Sequence, residues 1–330
     1  METGWNVGKL LNISSGYWKG CTLQAAVRLD IFSHLGNDCI AVGEVAEKAD
    51  TDQVATEMLL DGLAAMALLE KTDTRYGNTD FSRNYLVRSS PQYMGHIILH
   101  HHHILDGWAQ LDTAVATGRP ADKRSYGAEI ERQSFLLGMY NLAMGLAPEL
   151  AKRIDLNGCS RLLDLGGGPG TYAIHFCLAN PHLQAVIFDR ATTEPFARQT
   201  IDAYKINDRV SFIGGDFTTE AIEGGPYDAA WLSHILHSND EETCRRIIEK
   251  TARQMLPGGR ILIHDFILDN TRTAPEFAAL FSLNMLINNG VGRSYTDKEI
   301  RTMMELSGLS DLQRLSVGSA NDSSILMGIV

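Results

Sequence analysis

The stretch Leu162-Leu163-Asp164-Leu165-Gly166-Gly167-Gly168-Pro169-Gly170-Thr171 decides the fold of this chain. An apolar run enters a turn rich in glycine, and a helix is predicted to follow over about 171–179. This order predicts a buried strand, a tight turn and a helix, the repeating unit of a parallel α/β sheet. The glycines let the backbone approach a ligand closely, and the start of the helix offers free N–H groups to an anion.

A second apolar run, Ala185-Val186-Ile187-Phe188, ends at Asp189. In a Rossmann-like sheet this residue ends the second strand, where a carboxylate can bind both hydroxyls of a ribose. The dinucleotide fingerprint is G-x-G-x-x-G. Here the spacing is G-x-G-x-G, and Thr171 stands where the last glycine would be, which disfavours an NAD dehydrogenase.

The compact glycine spacing resembles the first motif of the S-adenosylmethionine (SAM) methyltransferases. In those enzymes the turn cradles the methionine part of a nucleoside. The resemblance implies that SAM is the cofactor. It also implies a set of cofactor-binding residues in these two segments: Asp164, Gly166, Gly168, Gly170 and Asp189.

Composition sets limits on the class of protein. The 330 residues suffice for two domains, and 44% hydrophobic with 21% charged residues is ordinary for a soluble globular protein. A net charge of −11 argues against nucleic acid or an anionic membrane as the main partner. We expect no transmembrane helix and no signal peptide. Five scattered cysteines, none in C-x-x-C spacing, predict reduced thiols and a cytoplasmic location.

Residues 1–150 are predicted to form a mainly helical domain, and 151–330 an α/β domain. Two short helices and a hairpin at about 69–81 outline a winged helix, and a long helix at about 128–153 is expected to join the domains rigidly. The other predicted helices lie at about 18–35, 42–49, 53–68 and 92–116. The predicted strands lie at about 161–165, 184–188, 210–213, 228–232 and 260–264, with a final hairpin near 311–329.

The candidate recognition helix of the winged helix, at about 51–66, argues against a transcriptional regulator. It carries Asp52, Glu57 and Asp61 and no lysine or arginine. DNA binding needs basic side chains on the phosphates, so this helix would be repelled. Its apolar face suits packing against another subunit, and we expect a homodimer formed through this domain.

Asp216 and Phe217 follow the predicted third strand. A carboxylate there can accept from an adenine amino group, and a phenylalanine offers a face to the ring. The alternative is a turn aspartate and a core phenylalanine. The sequence separation between these residues and the glycine turn favours the cofactor-binding role over the structural one.

His237 follows the predicted fourth strand, which ends near Ser233. Ser238-x-x-Glu241 predicts a capping box that opens the next helix, so His237 would lie just before a helix N-terminus at the carboxyl edge of the sheet. The positive end of the helix favours a neutral imidazole, the form that a general base requires. The alternative is a partly buried histidine bonded to the backbone.

Two segments, Leu232-Ser-His-Ile-Leu-His237 and Met255-Leu-Pro-Gly-Gly-Arg260-Ile-Leu-Ile-His-Asp265, resemble the plant-type O-methyltransferases (the caffeate and acetylserotonin type) and their microbial relatives. The resemblance spans about 15–330. It implies a winged-helix dimerisation domain before a SAM domain, with His237 deprotonating the acceptor and Asp265 and Asp297 flanking it. Asp265 would hold the useful tautomer. Asp297 has a structural alternative, because Thr296-x-x-Glu299 is also a capping box.

The same resemblance implies an acceptor pocket lined by Phe135, Met139, Met285 and Asn289. A helical core stripe is the alternative for the first pair, which has i, i+4 spacing. Ser233 takes the place of a lysine that contacts the cofactor. His237 is followed by Ser238-Asn239 instead of Asp-Trp, and both flanking glutamates are aspartates here.

His100–His103 form a run on a predicted helix. Adjacent helical residues point about 100° apart, so at most two of them could share a metal ion. We therefore predict no metal site, and expect some of these histidines to line the acceptor cavity.

The sequence thus predicts SAM-dependent methyl transfer to a hydroxyl of a small, mostly apolar molecule. Transfer to sulfur, nitrogen or carbon on the same scaffold stays open, as does a SAM-binding relative that does not methylate.

Overall fold

The structure is a computed structural model that describes residues 4–316 and 322–330. The chain forms two compact units. The first runs up to His103 and includes Ser125–Asn141, and the second comprises Ile104–Arg124 and the chain from Leu142 onward. Residues 104–124 and 142–150, assigned from the sequence to the first domain, therefore belong to the second unit.

The first unit consists of helices around a three-stranded antiparallel sheet of order β1-β3-β2. The predicted hairpin is confirmed as β2 and β3, whereas the predicted helix at 18–35 is two helices, because Asp30 adopts a left-handed φ of 54° between them. The elements are α1 Val7–Ser14, α2 Tyr17–Arg28, α3 Ile31–Leu35, β1 Cys39–Ala41, α4 Val42–Ala49, α5 Gln53–Ala65, β2 Leu69–Thr72, β3 Arg75–Asn78 and α6 Asp80–Tyr85.

Four helices follow along the chain: α7 Gly95–Trp108, α8 Leu111–Thr117, α9 Ala128–Met144 and α10 Ala147–Arg153. The prediction of one rigid helix at 128–153 is wrong. The helix ends at Met144, and a new one begins with Pro148 in its first turn. Proline lacks the N–H that a helix interior requires, but that donor is unused in a first turn.

The second unit is built on a seven-stranded sheet of order β6-β5-β4-β7-β8-β10-β9. Its strands are β4 Arg161–Leu165, β5 Gln184–Asp189, β6 Val210–Gly214, β7 Tyr227–Ser233, β8 Met255–Asp265, β9 Ser310–Ser316 and β10 Ser324–Ile329. Its later helices are α11 Thr171–Ala179, α12 Glu194–Tyr204, α13 Glu241–Ala252, α14 Glu276–Asn288 and α15 Asp297–Leu306. The five predicted parallel strands and the two strands of the final hairpin are confirmed; the connection at 317–321 lies outside the described residues.

Successive residues of the central strands point to opposite faces of this sheet, and both faces are covered. Leu162 and Trp231 pack in one buried layer, and Leu163 and Ile263 in the other. Burial of each such side chain contributes about 1.5–3 kcal/mol. The chain order reverses at β4, which lies between β5 and β7. Ligands of open α/β sheets bind at such a switch point, beyond the carboxyl ends of the strands.

No helix in the described part of the chain combines the length and the apolar character needed to cross a bilayer.

Candidate active site

The turn after β4 needs glycine for two different reasons. Gly166 and Gly170 adopt left-handed φ values of 68° and 78°, and a Cβ on either would lie 2.8 or 2.3 Å from the Cδ1 of a packed isoleucine. Around Gly168, with φ 55°, no described residue except its two chain neighbours has an atom within 4 Å of the place where its Cβ would be. All three positions therefore favour glycine for their backbone conformation. The outer two need it for packing as well, whereas the middle one faces open space that a ligand can occupy.

Two carboxylates border this turn. The Asp189 Oδ2 accepts from the N–H of Gly168 at 2.8 Å. The Asp164 Oδ2 accepts from the N–H of Ala173 at 3.1 Å. Its Oδ1 and the Oγ1 of Thr171 are buried without a hydrogen-bond partner among the described residues. Burial raises the pKa of Asp164 to about 7. Buried polar atoms are normally paired, so the turn fits a ligand that brings hydrogen-bonding groups of its own.

Phe217 lies against the glycine turn, since a Cβ on Gly166 would be 3.3 Å from its Cε1. The Asp216 Oδ1 accepts from the N–H and the hydroxyl of Thr218, at 2.9 and 2.5 Å, and the hydroxyl lowers the pKa of Asp216. The turn-aspartate alternative therefore describes part of what Asp216 does. Its other oxygen, Oδ2, lies 4.0 Å from Arg190.

Ser233, at the end of β7, contacts His264 of the neighbouring strand β8. Its Oγ lies 2.9 Å from the Nδ1 of His264, whose Nε2 lies 2.9 Å from the hydroxyl of Ser323. His264 is fully buried, and burial holds its pKa well below the usual value. A neutral imidazole is thus fixed between two hydroxyls beneath the sheet edge.

His237 lies in a 3₁₀ turn, Leu236–Ser238, and is 7% exposed. Its Nδ1 is 2.7 Å from the Oδ1 of Asp265, at the end of β8. Burial raises the pKa of Asp265, but His237 and His234 outweigh it and hold the pKa below the usual range. A charged carboxylate only accepts, so the Nδ1 of His237 is the donor, and in the neutral form of the ring Nε2 is then the acceptor.

The helix after His237 begins later than the sequence predicted. Asp240 caps α13, its Oδ1 accepting from the N–H of Thr243 at 2.8 Å, so the predicted capping box at Ser238 is wrong. The second predicted capping box is confirmed: Thr296 accepts from the N–H of Glu299 at 3.2 Å, and Glu299 accepts from the N–H of Thr296 at 2.8 Å.

Asp297, the first residue of α15, binds two arginines. Its Oδ2 accepts from Arg301 Nε at 2.6 Å, and its Oδ1 lies 3.4 Å from Arg314. Within residues 4–316 and 322–330 it makes no hydrogen bond or ion pair with His237. Its role beside the base therefore stays a prediction.

Sequence reasoning overlooked His234, which precedes His237 by three residues. It adopts a left-handed φ of 56°. Its buried Nδ1 lies 3.7 Å from the Oδ1 of Asp265 and has no hydrogen-bond partner in the part of the chain that the structure describes. Ligand atoms of His234, His237 and Asp265 all lie within 4.8 Å of one another, so these three residues could hold a metal ion. However, His237 Nδ1 and Asp265 Oδ1 are 2.7 Å apart, which is the distance of a direct hydrogen bond between these two atoms. The repeated histidine in Ser-His-Ile-Leu-His was the available signal.

The predicted acceptor residues are divided between the two units. Phe135, on α9 of the first unit, is 45% exposed with its ring 5.3 Å from that of His100, and Met139 is half-buried. On α14 of the second unit Met285 is buried. The side-chain nitrogen of Asn289, just after this helix, donates to Ser238 O at 3.1 Å.

The histidine run makes contacts within the first unit. His102 Nε2 lies 3.2 Å from the Tyr126 hydroxyl, and His103 Nδ1 lies 3.0 Å from the Ser134 hydroxyl. The ring of His103 stacks on Tyr126 at 4.5 Å between centroids. These contacts occupy ring nitrogens with hydroxyl partners.

A glycine turn with open space beside Gly168 and a buried histidine–aspartate pair follow neighbouring strands at one sheet edge. This arrangement fits the Rossmann-like methyltransferase that the sequence predicts. Two family profiles match the chain: the O-methyltransferase domain over residues 102–310 and the O-methyltransferase dimerisation domain over 11–88. The chain belongs to the O-methyltransferase family.

Curated relatives cover almost the whole chain. The 3-hydroxy-5-methyl-1-naphthoate 3-O-methyltransferase of Streptomyces sahachiroi is 30% identical over 97% of this chain and 94% of its own. The N,N-dimethyltransferase OxyT of Streptomyces rimosus is 28% identical over 91% and 89%.

Among solved structures, human N-acetylserotonin methyltransferase in complex with SAM superposes with a TM-score of 0.87. It covers 100% of this chain and 99% of its own at 24% identity, which shows a shared fold. The family is SAM-dependent, and this chain is a SAM-dependent O-methyltransferase.

Proposed function

We propose that this enzyme transfers the methyl group of SAM to a hydroxyl of a small, mostly apolar aromatic molecule, with His237 as the general base. One observation carries the proposal: the Nδ1 of His237 is 2.7 Å from a buried, charged Asp265. This contact fixes the tautomer in which Nε2 can accept a proton. A base held in this way matches the demand of a hydroxyl acceptor.

The residues around the glycine turn fit the cofactor. Gly168 leaves open space, and Asp189 has carboxylate oxygens for the ribose hydroxyls. Asp164, Gly166 and Gly170 shape the turn, while Asp216, Phe217 and Ser233 complete the proposed set for the adenine side and the neighbouring strand end. When bound, SAM supplies a methyl group that its positively charged sulfur makes electrophilic.

His237 then acts on the acceptor. A hydroxyl is a weak nucleophile, so its proton passes to Nε2 of His237 as the oxygen attacks. The carboxylate of Asp265 stabilises the imidazolium that forms. General-base help of this kind contributes about 10²–10⁴-fold, and alignment of the two reactants supplies most of the remaining acceleration.

Aromatic side chains around His237 support an aromatic acceptor. Its ring lies 4.8 Å from that of Phe281 and stacks on Phe266 at 5.8 Å, and Phe277, 43% exposed, packs on Phe266 at 4.9 Å. The Streptomyces sahachiroi relative acts on a hydroxynaphthoate. We therefore propose a phenolic hydroxyl as the acceptor, with Phe135, Met139, Met285 and Asn289 as the proposed lining residues.

A second candidate, methylation of an amine, is favoured by the similarity to the N,N-dimethyltransferase OxyT. A neutral amine carries its own lone pair and does not need to lose a proton before it attacks. Under this alternative, replacing His237 would lower turnover only slightly. The hydroxyl proposal requires a large loss.

We further propose a homodimer formed through a winged-helix first domain. Large apolar side chains of the first two helices are exposed, among them Leu10, Leu11, Ile13, Tyr17 and Trp18. This face fits a second copy of the dimerisation domain. Of the acidic residues that argue against DNA on α5, Asp61 is bound by Lys71 and the Tyr76 hydroxyl, both at 2.6 Å.

The five cysteines are all free, which supports the proposal that the enzyme works in the cytoplasm.

Calorimetric titration with SAM, and separately with S-adenosylhomocysteine, tests the cofactor site. Incubation with SAM and 3-hydroxy-5-methyl-1-naphthoate, followed by mass spectrometry, then tests the reaction. We expect micromolar binding of both nucleosides, and one S-adenosylhomocysteine formed per methylated product. Absence of binding by the folded protein would contradict the cofactor site. S-adenosylhomocysteine formed without methylated product would contradict methyl transfer to this acceptor.

A further inference from the structure

The backbone just after His237 is held by a segment that follows α14. Asn289 Nδ2 donates to Ser238 O at 3.1 Å, and the Tyr295 hydroxyl donates to Asn239 O at 2.6 Å. These contacts join residues 51 and 56 positions apart. We call residues 289–295 the clamp segment.

Gly292 packs directly on the peptide of His237. A Cβ on this glycine would lie 2.0 Å from His237 O and 2.9 Å from its carbonyl carbon. Real Cβ atoms do not approach other atoms so closely, and the atom met here belongs to the backbone, which cannot turn aside as a flexible side chain can. The position accepts only glycine while the His237 peptide keeps its place.

The amide of Asn289 makes this close approach possible. Its Oδ1 accepts from the N–H groups of Val291 and Gly292, at 3.1 and 3.0 Å, and so shapes the turn that brings Gly292 to His237. Its Nδ2 binds the carbonyl of Ser238. The Asn289 side chain thus stabilises the turn within the clamp segment and also bonds this segment to the turn that carries His237.

We propose that Asn289 and Gly292 are positioning residues that set the direction of the His237 imidazole through its backbone. This inference rests on the proposed role of His237 as the base, and it assigns Asn289 a task besides lining the acceptor pocket. Asp265 fixes the ring at Nδ1, and the clamp segment fixes the peptide from which the ring projects. Displacement of a reacting group by about 1 Å can cost about 10²-fold in rate.

A neighbouring asparagine provides a matched control. The Nδ2 of Asn288 donates to Asn284 O at 2.7 Å, and its Oδ1 accepts from Lys123 at 2.6 Å, so it does not bind the histidine turn. We compare Asn289→Ala, Asn289→Asp and Asn288→Ala, and measure SAM affinity by calorimetry and kcat and KM with 3-hydroxy-5-methyl-1-naphthoate. Asn289→Ala should lower kcat about 10–100-fold with unchanged SAM affinity. Asn289→Asp, which keeps the acceptor but loses the donor to Ser238, should fall between it and the wild type.

Asn288→Ala should retain the wild-type kcat. Equal effects of the two alanine substitutions would overturn the proposal. The measurement also separates it from the proposed function. If His237→Gln lowers turnover and Asn289→Ala does not, the positioning role fails and the base stands. If His237→Gln has no effect, the base itself fails. When both roles are correct, Asn289→Ala adds little loss in a chain that already carries His237→Gln, because coupled residues are not additive.

Nuclear magnetic resonance of ¹⁵N-histidine-labelled protein gives a readout independent of any acceptor. The Nδ1–H signal of His237 is assigned by its loss in His237→Gln and by its weakening or loss in Asp265→Asn, where the amide favours the other tautomer. Asn289→Ala and Gly292→Ala should shift or broaden that signal in the free protein, while Asn288→Ala should leave it in place. If Gly292→Ala does not fold, Asn289→Ala decides the outcome, and an unmoved signal in that folded variant would overturn the positioning role.

Discussion

The glycine turn after β4 and the side chain of His237 after β7 lie at the carboxyl edge of one sheet and are held in opposite ways. The glycine turn after β4 leaves groups open, since Gly168 faces free space and Asp164 Oδ1 has no partner in the described structure. In the turn after β7, His237 is tied at Nδ1 by Asp265 and along its backbone by the clamp segment. Open groups suit a ligand that supplies the missing partners, whereas a tied side chain suits a group that must keep one orientation during reaction.

This difference separates residues that contribute to the free energy of SAM binding from residues that lower the activation free energy of the reaction. A change in the glycine turn should weaken SAM binding, and a change in the histidine turn should slow the reaction of bound SAM. A variant in the glycine turn that lowers only kcat, or a variant in the histidine turn that weakens only SAM binding, would contradict this separation.

Replacing His237 should have the largest effect. His237→Gln keeps a polar side chain of similar size but removes the base, so we expect kcat to fall about 10²–10⁴-fold. SAM affinity should remain within about twofold, because the imidazole is not a proposed cofactor contact. Stopped assays for product and calorimetry with SAM measure the two quantities. Weaker SAM binding with unchanged kcat would move His237 to the binding region.

Asp265→Asn should lower kcat about 10²-fold or more, because the imidazolium formed on proton transfer loses its carboxylate. The amide can also donate to Nδ1 and so favour the tautomer that carries its proton on Nε2, where no proton can then be accepted. Asp269→Asn is the matched control, since its carboxylate accepts from Thr271 and Thr273 of its own loop. Turnover equal in both variants would show that the carboxylate does not act through His237.

Asp189→Ala should act on binding. Hydrogen bonds to a charged group contribute about 1.5–3 kcal/mol, so the Kd for SAM should rise about 10–150-fold. At saturating SAM, kcat should change little. Asp202→Ala, at an exposed aspartate of α12, provides a control for the loss of one negative charge. A large fall in kcat with unchanged Kd would contradict the assignment of Asp189.

The pH dependence of stability tests the buried carboxyl group beneath the glycine turn. Burial raises the pKa of Asp164 from 3.8 to about 7, so between these values the folded state holds a proton that the unfolded chain has released. The stability that the protonated Asp164 contributes is fully present below pH 3.8 and is lost as the pH rises through about 7.

Asp164→Asn cannot ionise. The free energy of unfolding of the wild type, relative to this variant, should therefore fall between pH 5 and pH 7 by at most about 1.4 kcal/mol per pH unit. Urea unfolding of both proteins at each pH gives the difference. A constant difference, or one that increases with pH, would show that Asp164 is charged in the folded protein.

Local signals explain what the sequence could predict. Strand β4 and helix α11 are observed at the predicted positions. Their signals, an apolar run, a group of glycines and a helix start, are local and follow one another directly in the sequence. The apolar run 185–188 likewise places Asp189 at a strand end, whereas Asp265 comes from the family resemblance and from its position after the predicted strand at 260–264. Strand β1, only three residues long, and the break between α9 and α10 at Gly145-Leu146 have weak local signals and were missed.

Other features of the site depend on residues that are distant in sequence. The left-handed conformation of His234 and the packing of Gly292 on His237 exist only in the folded unit. The sequence predicts Asn289 only as a lining residue of the acceptor pocket, because no local signal indicates that its amide binds Ser238, 51 positions away. Such contacts leave no periodic pattern that sequence reasoning could use.

The most direct test of the central claim is the methylation rate of a series of phenols whose hydroxyl acidity increases, measured with the wild type and His237→Gln at saturating SAM. Simple naphthols need a base, whereas nitro-substituted phenols are already ionised at the assay pH. We predict a large loss of rate in the variant for the first kind and almost none for the second. A loss of equal size for every acceptor would contradict the assignment of His237 as the general base.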